Sequence, residues 1–232
     1  MSCYNQRNYG HVAYPAPGYE GATLKSAGCG PCSAAMMAEQ LTGQTHGPEE
    51  MAELAMAVGA RVSGGTDLRR LGSALCPRLG LKMETGSSKQ LLLDCLERGG
   101  VAICNTSGDR EGYTGLFSSG GHYVCAVGLT REGLVRVWDP NRYAGKYEGP
   151  GRKGRVQLDG DDVLVPAGGL LADCAEREPA LYCFHRQTEP SSAWAAKAWQ
   201  KAANKRVMDG TAPTEPLTRE QLAAVLERVG LL

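Results

Sequence analysis

Ser26-Ala27-Gly28-Cys29-Gly30-Pro31-Cys32-Ser33, continuing as Ala34-Ala35-Met36-Met37-Ala38-Glu39-Gln40-Leu41, is the stretch on which the reading of the chain turns. Glycines on both sides of Cys29 let the backbone bend sharply and approach a ligand closely. Pro31 pre-sets the φ of a first helical turn. The Ala, Met and Leu residues that follow are good helix formers, with nothing to break them before Gly43. Cys29 is therefore expected just ahead of a helix N-terminus, where unpaired N–H groups and the positive dipole end favour thiolate over thiol. The thiolate is the nucleophilic form, which makes Cys29 the candidate to attack a carbonyl carbon.

A thiol nucleophile needs a base, and the base needs a third group to orient its ring. The chain has four histidines. His11 lies in an irregular lead-in, His46 in a loop ahead of a proline-started helix, and His185 closes a β-prone run. His122 follows Gly120-Gly121 and opens the run to Leu129, which puts its ring at a sheet end beside a glycine-rich loop. A lone histidine is more often structural than catalytic, and the Gly-Gly-His context is what singles out His122. Asp139 ends the run Leu134–Asp139, which forms a hairpin with that of His122 through Thr130-Arg131-Glu132-Gly133. Pro140 stops the ladder there. Asp before Pro is also an ordinary turn starter, and Asn141 is a second group able to hold an imidazole tautomer. The developing oxyanion needs donors, for which the backbone N–H of Cys29 and the side-chain amide of Gln6 are the candidates. A polar residue near a terminus is ordinarily just solvated; Gln6 is named because it lies on the segment leading to Cys29.

Cys29-Gly30-Pro31-Cys32 also has the C-x-x-C spacing of redox motifs, but that reading needs a preceding strand, and no apolar run comes before residue 26. Zinc needs a second ligand pair, and no other C-x-x-C or H-x-x-x-H occurs. No cofactor and no metal are expected, and Cys32 reads as a helix residue one turn behind Cys29. The nine cysteines are odd in number and scattered, unlike a disulfide framework. Cys95, Cys104, Cys125, Cys174 and Cys183 sit in apolar patterns and read as small buried hydrophobes.

The 232 residues can bury one full core and a small appendage. With 25 basic and 25 acidic residues, no single sign of charge points to nucleic acid or a membrane surface. No apolar run reaches the ~18 residues of a membrane span. Met1 to Arg7 lacks the apolar core of a signal peptide, so synthesis in and initial retention by a cytoplasm are expected.

Along the chain, residues 3 to 24 read as irregular. Helices are predicted from Cys29 to about Leu41, after Pro48-Glu49-Glu50, after an N-cap at Thr66, and after a Ser87–Gln90 capping box. Strands follow at Val101–Cys104, at the His122 and Leu134 runs, and at Ala180–Phe184, with Val163–Val165 at best an edge because it meets Pro166. Residues 187–193 read as a linker, and 194–232 as a helical hairpin too short for a robust core, which must dock on something.

Tyr4-Asn5-Gln6, Gly28-Cys29-Gly30-Pro31, Gly120-Gly121-His122-Tyr123-Val124 and Asp139-Pro140, in that order, resemble the C39-like branch of the papain-like cysteine peptidases. The resemblance covers residues 3 to 186 and includes Gly64-Gly65-Thr66. It implies an α+β papain-like fold, with N-terminal helices packed on an antiparallel sheet, over residues 1–186. It further implies Cys29 as nucleophile, His122 as base and acid, Asp139 as orienter and Gln6 as oxyanion donor. Cys32 departs from the pattern, since many relatives carry a threonine or smaller residue there. Trp194-Ala195, Ala198-Trp199, Asp209-Gly210, Pro213 and Thr218-Arg219-Glu220 resemble one surface-layer-homology motif. Such motifs usually act in sets on cell-wall polymers, so a single one implies wall binding only through a homo-oligomer. Together these imply a cysteine peptidase working through a thioester, as in a phage or prophage lysin that cuts peptidoglycan peptides after release. A leader-peptide-processing peptidase and a non-catalytic wall-binding module on the same fold are the alternatives.

Overall fold

The computed structural model describes residues 3–187 and 219–230, together with positions 198, 201, 202, 204 and 207. The chain divides into two compact units, Met1–His185 and Arg186–Leu232. In the first, Gly28 joins two helices, α1 (Leu24–Ala27) and α2 (Cys29–Thr42). A Cβ at Gly28 would lie 2.2 Å from the Leu24 carbonyl oxygen, so a larger residue could not make that join. α2 ends at Gly43, whose left-handed backbone (φ 71°) returns its N–H to the Glu39 carbonyl. Ala34 to Ala38 are wholly buried, as in a helix enclosed on most sides by its own domain.

Helix α3 (Pro48–Ala57) begins with the expected proline and carries Glu49 and Glu50 in its first turn. The next two helices start one residue later than the cap residues predicted from sequence. α4 (Leu68–Leu79) is capped by Asp67, which accepts the Arg70 N–H at 3.1 Å. Thr66 instead belongs to β2 (Gly65–Thr66), paired with β1 (Arg61–Val62). α5 (Lys89–Glu97) is capped by Ser88, while Ser87 hydrogen-bonds Glu178 and the Ala180 N–H. In both places two adjacent side chains can cap, and a tertiary or hairpin partner claims the first.

The sheet has seven strands in the order β3-β9-β4-β5-β6-β8-β7. These are β3 (Leu81–Gly86), β4 (Val101–Thr106), β5 (His122–Leu129), β6 (Val135–Trp138), β7 (Gln157–Asp159), β8 (Asp162–Val165) and β9 (Leu181–Arg186). From β9 to β7 every neighbouring pair is antiparallel. β8 is interior rather than an edge, because exposed β7 covers its outer side and Pro166 lies beyond it, at the start of α6 (Ala167–Asp173). β3 was not foreseen: it is the other edge, and its exposed Lys82 and Glu84 obscure the apolar signal.

Alternation along the central strands feeds two cores. Val101, Ile103 and Cys125 pack with α2, α3 and α4 on one face; Ala102, Cys104, Val124 and Ala126 pack with α5 and α6 on the other. The architecture is α+β, as expected, with helices on both faces of the sheet. Cys95, Cys104, Cys125, Cys174 and Cys183 are buried free thiols. In the second unit, α7 (Arg219–Arg228) leaves Leu222 exposed, as is Val229 just past its end. Trp194, Trp199, Asp209, Gly210, Pro213 and Thr218, which carry most of the surface-layer-homology resemblance, lie outside the described residues. No helix among the described residues is long and apolar enough to cross a membrane.

Candidate active site

Helix α2 packs across β5, and Cys29, the first residue of the helix, lies near His122, the first residue of the strand. Thr106, opposite His122 in the ladder, donates its hydroxyl to the His122 carbonyl at 3.0 Å and pins that strand end. The β5–β6 register, with Cys125 opposite Trp138, brings His122 and the residue just past β6 to the same edge. That residue is Asp139. Its Oδ1 lies 2.8 Å from His122 Nε2, both side chains being buried. The His122 ring and the Cys29 sulfur are close enough that each shifts the other's titration, and Nδ1 is the ring nitrogen not engaged by Asp139. Cys29 remains partly exposed.

Charge follows from this chain of contacts. Burial alone would raise the Cys29 thiol, but the neighbouring His122 ring, with the N–H groups of Tyr123 and Gly30, holds it below its ordinary value. Burial alone would lower His122, but Asp139, which accepts its hydrogen bond, and Cys29 push it up to about 9. Both shifts favour a thiolate beside an imidazolium. Cys32, one turn on, is wholly buried, and burial drives its thiol well above the ordinary range. The two sulfurs of the C-x-x-C are thus pushed in opposite directions.

Asp139 is fully buried, which by itself would raise its carboxyl; His122 and Lys146 hold it well below the carboxylate range. Four donors reach it. Oδ1 accepts from His122 and from the Asn141 backbone N–H at 2.9 Å, and Oδ2 accepts from Lys146 Nζ at 2.5 Å and the Tyr147 hydroxyl at 2.6 Å. Asn141, the alternative orienter, thus enters through its backbone. Lys146 and Tyr147 were not foreseen. They sit in a glycine-rich loop with Arg142, Arg152, Lys153 and Arg155, and nothing local distinguishes Lys146 from these.

Gln6 opens a short 3-10 turn and is buried. Its backbone N–H donates to the Pro140 carbonyl at 2.7 Å and its side-chain Nε2 to the Lys25 carbonyl at 3.0 Å. It therefore bridges the segment just past β6 and α1, the short helix leading to Cys29, with its buried Oε1 unpaired. The other histidines are engaged elsewhere: His11 stacks with Tyr9, and His46 hydrogen-bonds Glu50 at 3.1 Å. His185 lies on β9.

Two supports flank the site. The β1–β2 hairpin touches the start of α2 so closely that a Cβ at Gly30 would lie 2.5 Å from Thr66. Thr66 is itself held by the Tyr14 hydroxyl at 2.8 Å and, through its carbonyl, by that of Tyr123 at 3.2 Å. The loop before His122 is tied down by buried Asp173, which accepts from Leu116 N–H, Phe117 N–H and the Tyr113 hydroxyl. Phe117 in turn packs edge-on against Tyr147. Among the described residues, no cluster of three or more His, Cys, Asp or Glu is placed to hold a metal ion.

No protein-family model and no curated protein matches the chain. Among solved structures, it is similar to one described as a "putative C39-like peptidase" from Bacillus anthracis, with a TM-score of 0.48 and 18% identity over 70% of this chain and 90% of that one. That likeness assigns no residue a role.

Proposed function

We propose that this chain is a papain-like cysteine peptidase. The observation that carries the reading is the buried His122–Asp139 hydrogen bond beside the Cys29 sulfur, which is partly exposed at a helix start. In the reaction, the Cys29 thiolate adds to the carbonyl carbon of an amide, and the electron pair moves to oxygen. The Cys29 N–H and the second N–H of the Gln6 amide, the first being held by Lys25, stabilise that oxygen. His122 gives its proton to the departing amine as the C–N bond breaks, leaving a thioester. Water, deprotonated by His122, then attacks the thioester; the acid is released and the thiolate–imidazolium pair restored.

The substrate class we assign is the stem or cross-bridge peptide of peptidoglycan, as for a phage-type lysin. The surface-layer-homology-like residues of the tail support it as a wall-directed segment. The test is incubation of purified sacculi with wild type and Cys29→Ala, with mass spectrometry of released fragments. New amino termini from wild type alone support the lysin. Binding by both without release supports a wall-binding module, and cleavage confined to soluble leader peptides would move the enzyme to peptide maturation.

A further inference from the structure

Lys146 is a buried ammonium placed behind the orienting acid, on the side away from the imidazole. His122 holds Oδ1 of Asp139, while Lys146 and Tyr147 hold Oδ2. Lys146 also donates to the Asn141 carbonyl at 3.0 Å and is almost wholly buried. A buried lysine is expensive, and structural anchoring of a turn needs no charge. A charge set here acts on whatever Asp139 acts on.

We propose that Lys146 is a positioning residue that offsets the Asp139 charge and so sets the pH at which His122 releases its proton from the Cys29–His122 pair. The proposal rests on the reading of Cys29 as an activated nucleophile. With Lys146 charged, His122 experiences a carboxylate already partly neutralised. Without it, the full charge of Asp139 falls on the imidazolium, which keeps its proton to higher pH. Tyr147 reaches the same oxygen as a neutral donor and lacks this leverage.

The titratable and charged groups near this centre are Cys29 on α2, His122 on β5, Cys3 in the lead-in, Arg142, Tyr147 and Arg152 in the loop, and Asp173 at the end of α6. Burial, reinforced by Asp161 and Asp139, pushes Cys3 up to about 12, and burial with Asp139 raises Tyr147 further, so neither titrates with His122. Burial draws Lys146 itself down against the pull of Asp139, and neutral variants remove that titration together with the charge.

The readout is the rate of Cys29 alkylation by iodoacetamide against pH, followed by peptide mapping, which needs no substrate. In wild type an alkaline limb is expected near 9, where the imidazolium loses its proton. In Lys146→Met and Lys146→Gln the limb moves up by about one pH unit, and in Tyr147→Phe it moves less. In an Asp139→Asn background the Lys146 substitutions produce no upward movement, because the intermediary is gone. The glutamine keeps a donor toward Oδ2, so it serves if the methionine variant fails to fold. A limb that stays put or falls in a folded neutral variant overturns the Lys146 proposal alone. A wild-type Cys29 no more reactive at pH 6 than Cys3 or Cys76 overturns the nucleophile reading and this proposal with it.

Discussion

Asp139→Asn removes one buried negative charge while keeping the side-chain shape, and the structure sets the size of the result. His122 stands at about 9 against an ordinary 6.5, worth about 3 kcal/mol in favour of the imidazolium. Without the carboxylate the ring falls toward its ordinary value, since burial opposes its charge and only Cys29 still supports it. At pH 7.5 a ring at the ordinary 6.5 is about 10% charged against about 97% in the wild type, roughly a tenfold loss of the ion pair. Amide hydrolysis falls further, by about 10²–10⁴, because the tautomer and ring position are no longer enforced. Stability changes with a definite pH signature. The raised His122 stabilises the wild type fully below 6.5 and stops doing so as pH rises through about 9. The depressed Asp139 stabilises it above 3.8 and ceases as pH falls through its lower folded value. The variant loses both contributions and strands a buried ammonium, so urea unfolding at pH 6 registers a loss of about 3–5 kcal/mol, softened as Lys146 sheds its proton. Urea melts at pH 5, 6.5 and 9 and the alkylation profile measure these effects. An asparagine variant with the wild-type alkaline limb and wild-type urea midpoint would refute the electrostatic coupling of Asp139 to His122.

Iodoacetamide at pH 6 to 7 modifies Cys29 ahead of Cys3 and Cys76, the other partly exposed thiols; equal labelling of the three would rule out an activated thiolate. Gly30→Ala drives a methyl into Thr66 and lowers unfolding free energy by about 1–3 kcal/mol. An unchanged melting temperature would mean that the β1–β2 hairpin is not pressed against α2. Asp173→Ala leaves two buried N–H groups and a tyrosine hydroxyl without their acceptor, for a loss of at least about 2 kcal/mol. Amide exchange at Leu116 and Phe117 speeds up accordingly, and continued protection there would show that another group holds the loop.

Much of the site was legible because its signals are local. Glycines around Cys29, a proline in the first turn and an unbroken Ala/Met run specify a helix start through backbone sterics alone. Gly-Gly before His122 and Pro after Asp139 mark strand ends in the same way. Period-two alternation with a four-residue connection implies the hairpin, and the hairpin puts His122 and Asp139 at one end of the sheet. The caps at Asp67 and Ser88 were each misplaced by one residue because neighbouring hydroxyl and carboxylate side chains compete equally until a partner elsewhere takes one. The edge strand β3 escaped notice because charged residues on its open side hide its apolar face.

What the sequence determined by itself is therefore the set of pieces: a helix-start thiol, a strand-start imidazole, a strand-end carboxylate, and helices and hairpins to carry them. Only the tertiary structure decided how those pieces are charged. Lys146 is one cation among several in its loop, and its burial against Asp139 goes with packing of Tyr147 on Phe117, whose own loop is held by Asp173. Desolvation and charge pairing depend on what surrounds an atom in space, and residues 29, 122, 139 and 146 become neighbours only when the sheet and α2 have closed on each other.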